Sequence, residues 1–107
     1  MPVIRKRLAP VSSVHSGLVR KLVAELRRNA TTGLPTAPVV REDEQRGNYL
    51  HVTVIWDAWR RLGPEERGRM IMDAYERARP DDVLRITVAM GLTHAEAERL
   101  GVSASPA

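Results

Sequence analysis

The 107-residue sequence has no cysteine and no phenylalanine, and aromatic residues make up only 4% of it. The first absence removes disulfides, thiolate metal sites, Cys-ligated iron–sulfur clusters and cysteine nucleophiles from consideration. The second leaves Tyr49, Trp56, Trp59 and Tyr75 as the large rings. Each ring buries more area than an aliphatic side chain, and three of the four fall between Tyr49 and Trp59. That stretch is expected at the centre of the fold, with Trp56, Trp59 and Tyr75 as core anchors. Long apolar runs are lacking too. No segment approaches a membrane span or the apolar stretch of a secretory leader, so cytoplasmic residence without a membrane partner is the expectation.

What is present suits one ordinary domain: 43% hydrophobic residues in a chain of a length that builds a single core. The net charge of +4 is unevenly placed. Up to Arg28 there are seven basic residues against Glu25 alone, whereas the rest of the chain has ten against twelve carboxylates. Such asymmetry marks either a nucleic-acid or acidic-partner contact or simply a solvated basic surface.

Residues 1–12, with Pro2 and Pro10 and no periodicity, read as an extended arm. From Ser13, apolar residues recur every four positions (Val14, Leu18, Leu22, Leu26, with Val19 and Val23 beside them), the stripe of an amphipathic helix ending at Arg28. A linker-like stretch, Asn29–Pro38, follows. Val39-Val40-Arg41 is a short strand candidate, and the polar run Glu42–Asn48 is expected as an exposed hairpin tip. Tyr49–Trp56 alternates as a strand, with Leu50, Val52, Val54 and Trp56 on one face. Asp57–Leu62 suggests a short helical turn. Pro64-Glu65-Glu66 opens a helix, because proline loses nothing in a first turn and carboxylates suit the positive end. Its buried stripe is Met70, Ile71, Ala74, Tyr75 and Ala78, and Pro80 stops it. Val83–Met90 alternates again, placing Leu84, Ile86, Val88 and Met90 on one face, with Gly91 ending the strand. Thr93-His94-Ala95-Glu96 is a capping box that starts a last helix ending near Gly101. Residues 13–101 are thus expected to form one domain, followed by a tail, 102–107.

This order, together with particular residues, resembles the BolA family, which shares its fold with type II KH domains. The resemblance rests on Val52–Trp59 as the strand and its exit, Leu62 at the following turn, Glu66-Arg67-Gly68-Arg69-Met70-Ile71 at the helix start, and Leu84–Val88 running into Thr93–Glu96. It implies an α+β fold of order α-β-β-α-α-β-α, with a three-stranded mixed sheet and helices packed on one face. The family's cluster-sharing chemistry uses a histidine before the late strand and a histidine or cysteine in the hairpin loop. Here Val83-Leu84 stands at the first position, Glu42–Asn48 holds neither residue type, and Gly68 replaces the helix histidine. Iron needs imidazole or thiolate, so no cofactor is expected. The KH loop that clamps nucleic-acid backbone needs two glycines, whereas Leu62-Gly63-Pro64-Glu65-Glu66 has one and adds two carboxylates.

His15, His51 and His94 lie on three elements and make no metal motif. The carboxylate pairs Glu65-Glu66 and Asp81-Asp82 have structural explanations, and no serine has an evident base, so no catalytic residue is expected. The candidate binding residues are arginines and lysines: Arg60, Arg61, Arg67 and Arg69 around the helical turn, and Arg5, Lys6, Arg7, Arg20 and Lys21 in the N-terminal segment. Arginine forks suit carboxylates and phosphates alike. The sequence therefore reads as a non-catalytic BolA-like adaptor that docks another protein through its helical turn or a sheet edge. A nucleic-acid-binding domain using these cations is the alternative, and a homodimer through the edge at Val39–Arg41 stays open.

Overall fold

The computed structural model describes residues 13–28 and 37–102. The expected arm, most of the Asn29–Pro38 linker, the tail beyond Val102 and the candidate residues Arg5, Lys6 and Arg7 lie outside the described residues.

The four-residue apolar period forms helix α1 (Ser13–Arg28), which buries Val19, Leu22, Val23 and Leu26. Strands β1 (Val39–Gln45) and β2 (Tyr49–Ile55) form an antiparallel hairpin pairing Val40 with Val54 and Glu44 with Leu50. A 3-10 turn, Asp57–Arg61, leads to helix α2 (Pro64–Ala78). A second 3-10 turn, Pro80–Arg85, precedes strand β3 (Ile86–Leu92), and helix α3 (His94–Leu100) follows. The strand order is β1-β2-β3, with β3 parallel to β2. The chain is thus an α+β fold with a three-stranded mixed sheet, as expected.

Leu50, Val52 and Val54 of β2 pack against α1 and α2, joined by Trp56, Trp59, Met70, Ile71, Ala74 and Tyr75. Burying each such aliphatic chain contributes about 1.5–3 kcal/mol relative to exposure. Ile55 alternates to the other face, where it forms a separate cluster with Leu92 and Ala97 of α3. The two long helices therefore cover one face of the sheet, and the short α3 closes one end of the other.

Three boundaries differ from the expectation. β1 continues through the acidic residues to Gln45, leaving only Arg46-Gly47-Asn48 as the tip. Its Glu42 is held from the core side, accepting from the Tyr75 hydroxyl and from Arg79 Nη1 at 3.1 Å. The strand read from Val83 starts only at Ile86, because Pro80-Asp81-Asp82 begins a 3-10 turn and Leu84 is 92% exposed. Gly91, read as ending that strand, lies inside it; a Cβ there would come within 2.8 Å of Arg67 Cβ and 2.9 Å of Trp59 Nε1, so only glycine fits.

The hairpin tip is held from outside the hairpin. Gly47 and Asn48 both have positive φ (79° and 69°), and Arg85 donates to Asn48 twice, from Nε to the backbone oxygen at 2.9 Å and from Nη2 to Oδ1 at 3.0 Å. The Arg85 Nη1 binds Asp82 Oδ1 at 3.1 Å. One guanidinium thus joins the tip to the turn that launches β3.

Candidate interaction site

Among the described residues, strand order makes β1 and β3 the two edges of the sheet. Arg41, Glu42, Asp43 and Glu44 occupy β1, and charges on an edge strand discourage pairing with another chain. β3 reads Ile86-Thr87-Val88-Ala89-Met90-Gly91-Leu92, with no charge and no proline.

The backbone of β3 has a definite free side. Trp56 N–H donates to Leu92 O at 2.7 Å, so the polar groups of Leu92 face β2. Alternation along a parallel ladder turns those of Val88 and Met90 the same way, and those of Ala89 and Gly91 outward. Gly91 O is taken by Arg67 Nη1 at 3.1 Å. At Ala89 the bare Cα of Gly68 lets α2 come close without a side chain over the Ala89 carbonyl, where a Cβ would lie 3.1 Å from that oxygen.

The side chains divide between two surfaces. Ile86, Thr87 and Ala89, with Pro64, Gly68 and Met72 of α2, line an open groove of about 510 Å3, to which Glu65 and Arg69 add one charge of each sign. On the other face Val88 and Met90 are 40% and 36% exposed. The sequence placed Ile86 and Val88 together. The register slips between Leu50–Ile86 and His51–Val88, making Thr87 an extra residue that sends them to opposite faces. The readable trace of the true arrangement is the pair of small residues, Ala89 and Gly91, on the side that must admit α2.

The expected arginine patch loses one member to the interior. Arg60 and Arg61 are exposed on the 3-10 turn, Arg69 on α2, and Arg20 and Lys21 on α1. Arg67 does not belong with them, because it is only 6% exposed and its donors are used inside the fold. Its Nε binds Leu62 O at 2.8 Å, Nη2 binds Trp59 O at 2.9 Å, and Nη1 binds Gly91 O and, at 2.6 Å, Glu96 Oε1. The carboxylate that meets it comes from the capping box of α3.

Glu96 also accepts the Thr93 N–H at 2.8 Å, while Thr93 Oγ1 accepts the Glu96 N–H. The Thr93 backbone bond and then the Arg67 guanidinium hold the Glu96 carboxyl below its ordinary range. Asp57 is likewise lowered, first by the His94 backbone N–H at 2.9 Å and then by the His94 ring, whose Nδ1 lies 3.2 Å away. Burial and the Glu42 carboxylate push the Tyr75 phenol far above its usual value, so it stays a neutral donor. Trp56, Trp59 and Tyr75 are all buried, with Trp59 Nε1 donating to Val54 O at 3.0 Å and the two indoles meeting edge to face at 5.2 Å.

Among the described residues no cluster of three His, Asp or Glu side chains is placed to hold a metal ion, and no helix is long and apolar enough to cross a membrane. No protein family, curated protein or solved structure matches the chain.

Proposed function

We propose that this chain is a non-catalytic, BolA-like adaptor that docks another polypeptide by strand addition along β3. The observation that carries this reading is the contrast between its two sheet edges: β1 bears four consecutive charged residues and β3 bears none. Strand addition draws affinity from main-chain hydrogen bonds and specificity from pockets for alternate side chains. β3 offers outward groups at Ala89 and, beside them, the groove against α2. A photo-crosslinking residue at Thr87, in the full chain in cells, is expected to form adducts with polypeptide, while the same residue at Arg41 on β1 does not. Absence of adducts from position 87, or equal labelling from both, overturns the reading.

The exposed cations Arg20, Lys21, Arg60, Arg61 and Arg69 support a second reading, nucleic-acid binding. Its test is an RNA and DNA titration at two salt concentrations. Phosphate contacts release counterions, so genuine binding weakens steeply with salt, and no binding at low salt ends this alternative.

A further inference from the structure

We infer that the outward side of α1 seats on the phosphate backbone of double-stranded DNA without reading its sequence. The inference rests on the nucleic-acid reading and names its element and its ligand. It leaves β3 free to take a polypeptide at the same time, because α2 packs against α1 on one side and against β3 on the other.

Between Val19 and Arg27 the exposed positions of α1 are Arg20, Lys21, Ala24 and Arg27. Arg20, Ala24 and Arg27 follow at steps of four and three residues, so they form one line along the helix with Lys21 beside it. Arg20 and Arg27 stand about 10 Å apart along the axis, enough for their guanidiniums to take separate phosphates. Ala24, between them, is too short to hold a duplex away. Glu25, the one carboxylate of the helix, is turned to the core side and only 9% exposed. Exposed carbonyls at a helix C-terminus repel phosphate, and here Arg79 Nη2 takes the Leu26 carbonyl at 2.9 Å while its Nη1 holds Glu42 at 3.1 Å. The other helices mix signs at their surfaces, with Glu65, Glu66 and Arg69 on α2 and Glu98 and Arg99 on α3.

What this side lacks sorts the anionic partners. A protein partner is held mainly by a few buried aromatic or apolar anchors. The exposed large apolar residues Tyr49, Leu84, Val88, Met90 and Leu100 all lie on other elements. A single strand is held by bases stacked on aromatic rings, and α1 contains none. Duplex RNA is recognised largely through its 2′-hydroxyls, for which the outward side between Val19 and Arg27 offers no uncharged polar side chain. The backbone of duplex DNA asks only for cations, and it binds them irrespective of sequence.

Titration of a DNA duplex with the full chain over a range of salt concentrations tests this. Wild-type affinity at physiological salt is expected in the non-specific range, about 10⁻⁴–10⁻⁶ M, and unchanged when the duplex sequence is changed. The logarithm of the binding constant should fall linearly with that of salt. Arg20→Gln and Arg27→Gln are each expected to make the slope shallower by about 0.9, the share of one phosphate contact, while Arg69→Gln leaves it as it was. Glutamine suits an exposed helix position, and circular dichroism checks that the variants stay folded. Arg27→Lys, which keeps the charge, should keep the slope. Unchanged slopes in both α1 glutamine variants, or an equal loss in Arg69→Gln, defeat α1 as the carrier and spare the nucleic-acid reading. No binding by the wild-type chain at low salt defeats both. Tighter binding to duplex RNA or to a single strand of the same length, or displacement of the duplex by polyglutamate at equal charge, overturns the choice of ligand.

Discussion

A guanidinium taken out of water is tolerated only when its hydrogen bonds are replaced, and Arg67 replaces them with three carbonyls and one carboxylate drawn from three parts of the chain. Removing it strands those acceptors. Arg67→Ala is expected to destabilise the fold by several kcal/mol, measured by urea unfolding, since each buried acceptor left without a donor costs about 1–3 kcal/mol. Arg67→Lys is expected to recover little of this, because an ammonium lacks the planar fork that reaches Leu62, Trp59 and Gly91 together. Trp59→Ala, at a fully buried ring, should cost about 3–5 kcal/mol, and a loss well below 1 kcal/mol would contradict its place in the core. Gly91→Ala adds one methyl where Trp59 and Arg67 already press, and about 1–3 kcal/mol of destabilisation is expected from overpacking.

At the element scale, two of the groups that hold the N-terminus of α3 titrate. Asp57 accepts the first N–H of the helix and Glu96 closes its capping box, and both carboxyls have folded-state values below their ordinary range. A depressed carboxylate contributes stability above its unfolded pKa and loses it as pH falls through the folded value. Stability is therefore expected to fall on acidification through and below the ordinary carboxylate range, with α3 amides the first to lose exchange protection; an Asp57→Asn, Glu96→Gln double variant should flatten that dependence. The elements themselves were largely legible beforehand. The period of α1, the proline start of α2 and the Thr93–Glu96 box each express local chemistry, and local chemistry can be read from sequence. The exceptions are tertiary. Glu42 belongs to a strand because Tyr75 and Arg79 meet it, Leu84 is outside because the 3-10 turn holds it there, and Thr87 reverses the alternation of β3 because the register against β2 slips at that point. The burial of Arg67 was partly legible, since it stands three and four residues before Met70 and Ile71 on the buried stripe and Arg69 does not, whereas the carbonyls and the Glu96 carboxylate that receive it come from tertiary packing.

For the whole molecule, the two edges of the sheet set the behaviour. An uncharged edge strand beside an apolar groove pairs with something or becomes an aggregation hazard. If β3 docks a polypeptide as proposed, Thr87→Lys is expected to lower its capture without unfolding the chain, because Thr87 is exposed, and circular dichroism alongside a binding measurement separates the two effects. The hairpin tip bears on this edge from a distance. Surface loops ordinarily accept insertions and deletions over evolutionary time. Arg85, however, grips Asn48 with two bonds and stands one residue before β3, so the length of Arg46-Gly47-Asn48 measures out where β3 begins beside β2. A residue added at the tip would slide that starting point and shift Ala89 and Gly91 away from Gly68 and Arg67 of α2. This exposed turn is accordingly expected to hold its length through descent while its outward side chains drift, behaving as a ruler where its position on the surface would suggest a spacer.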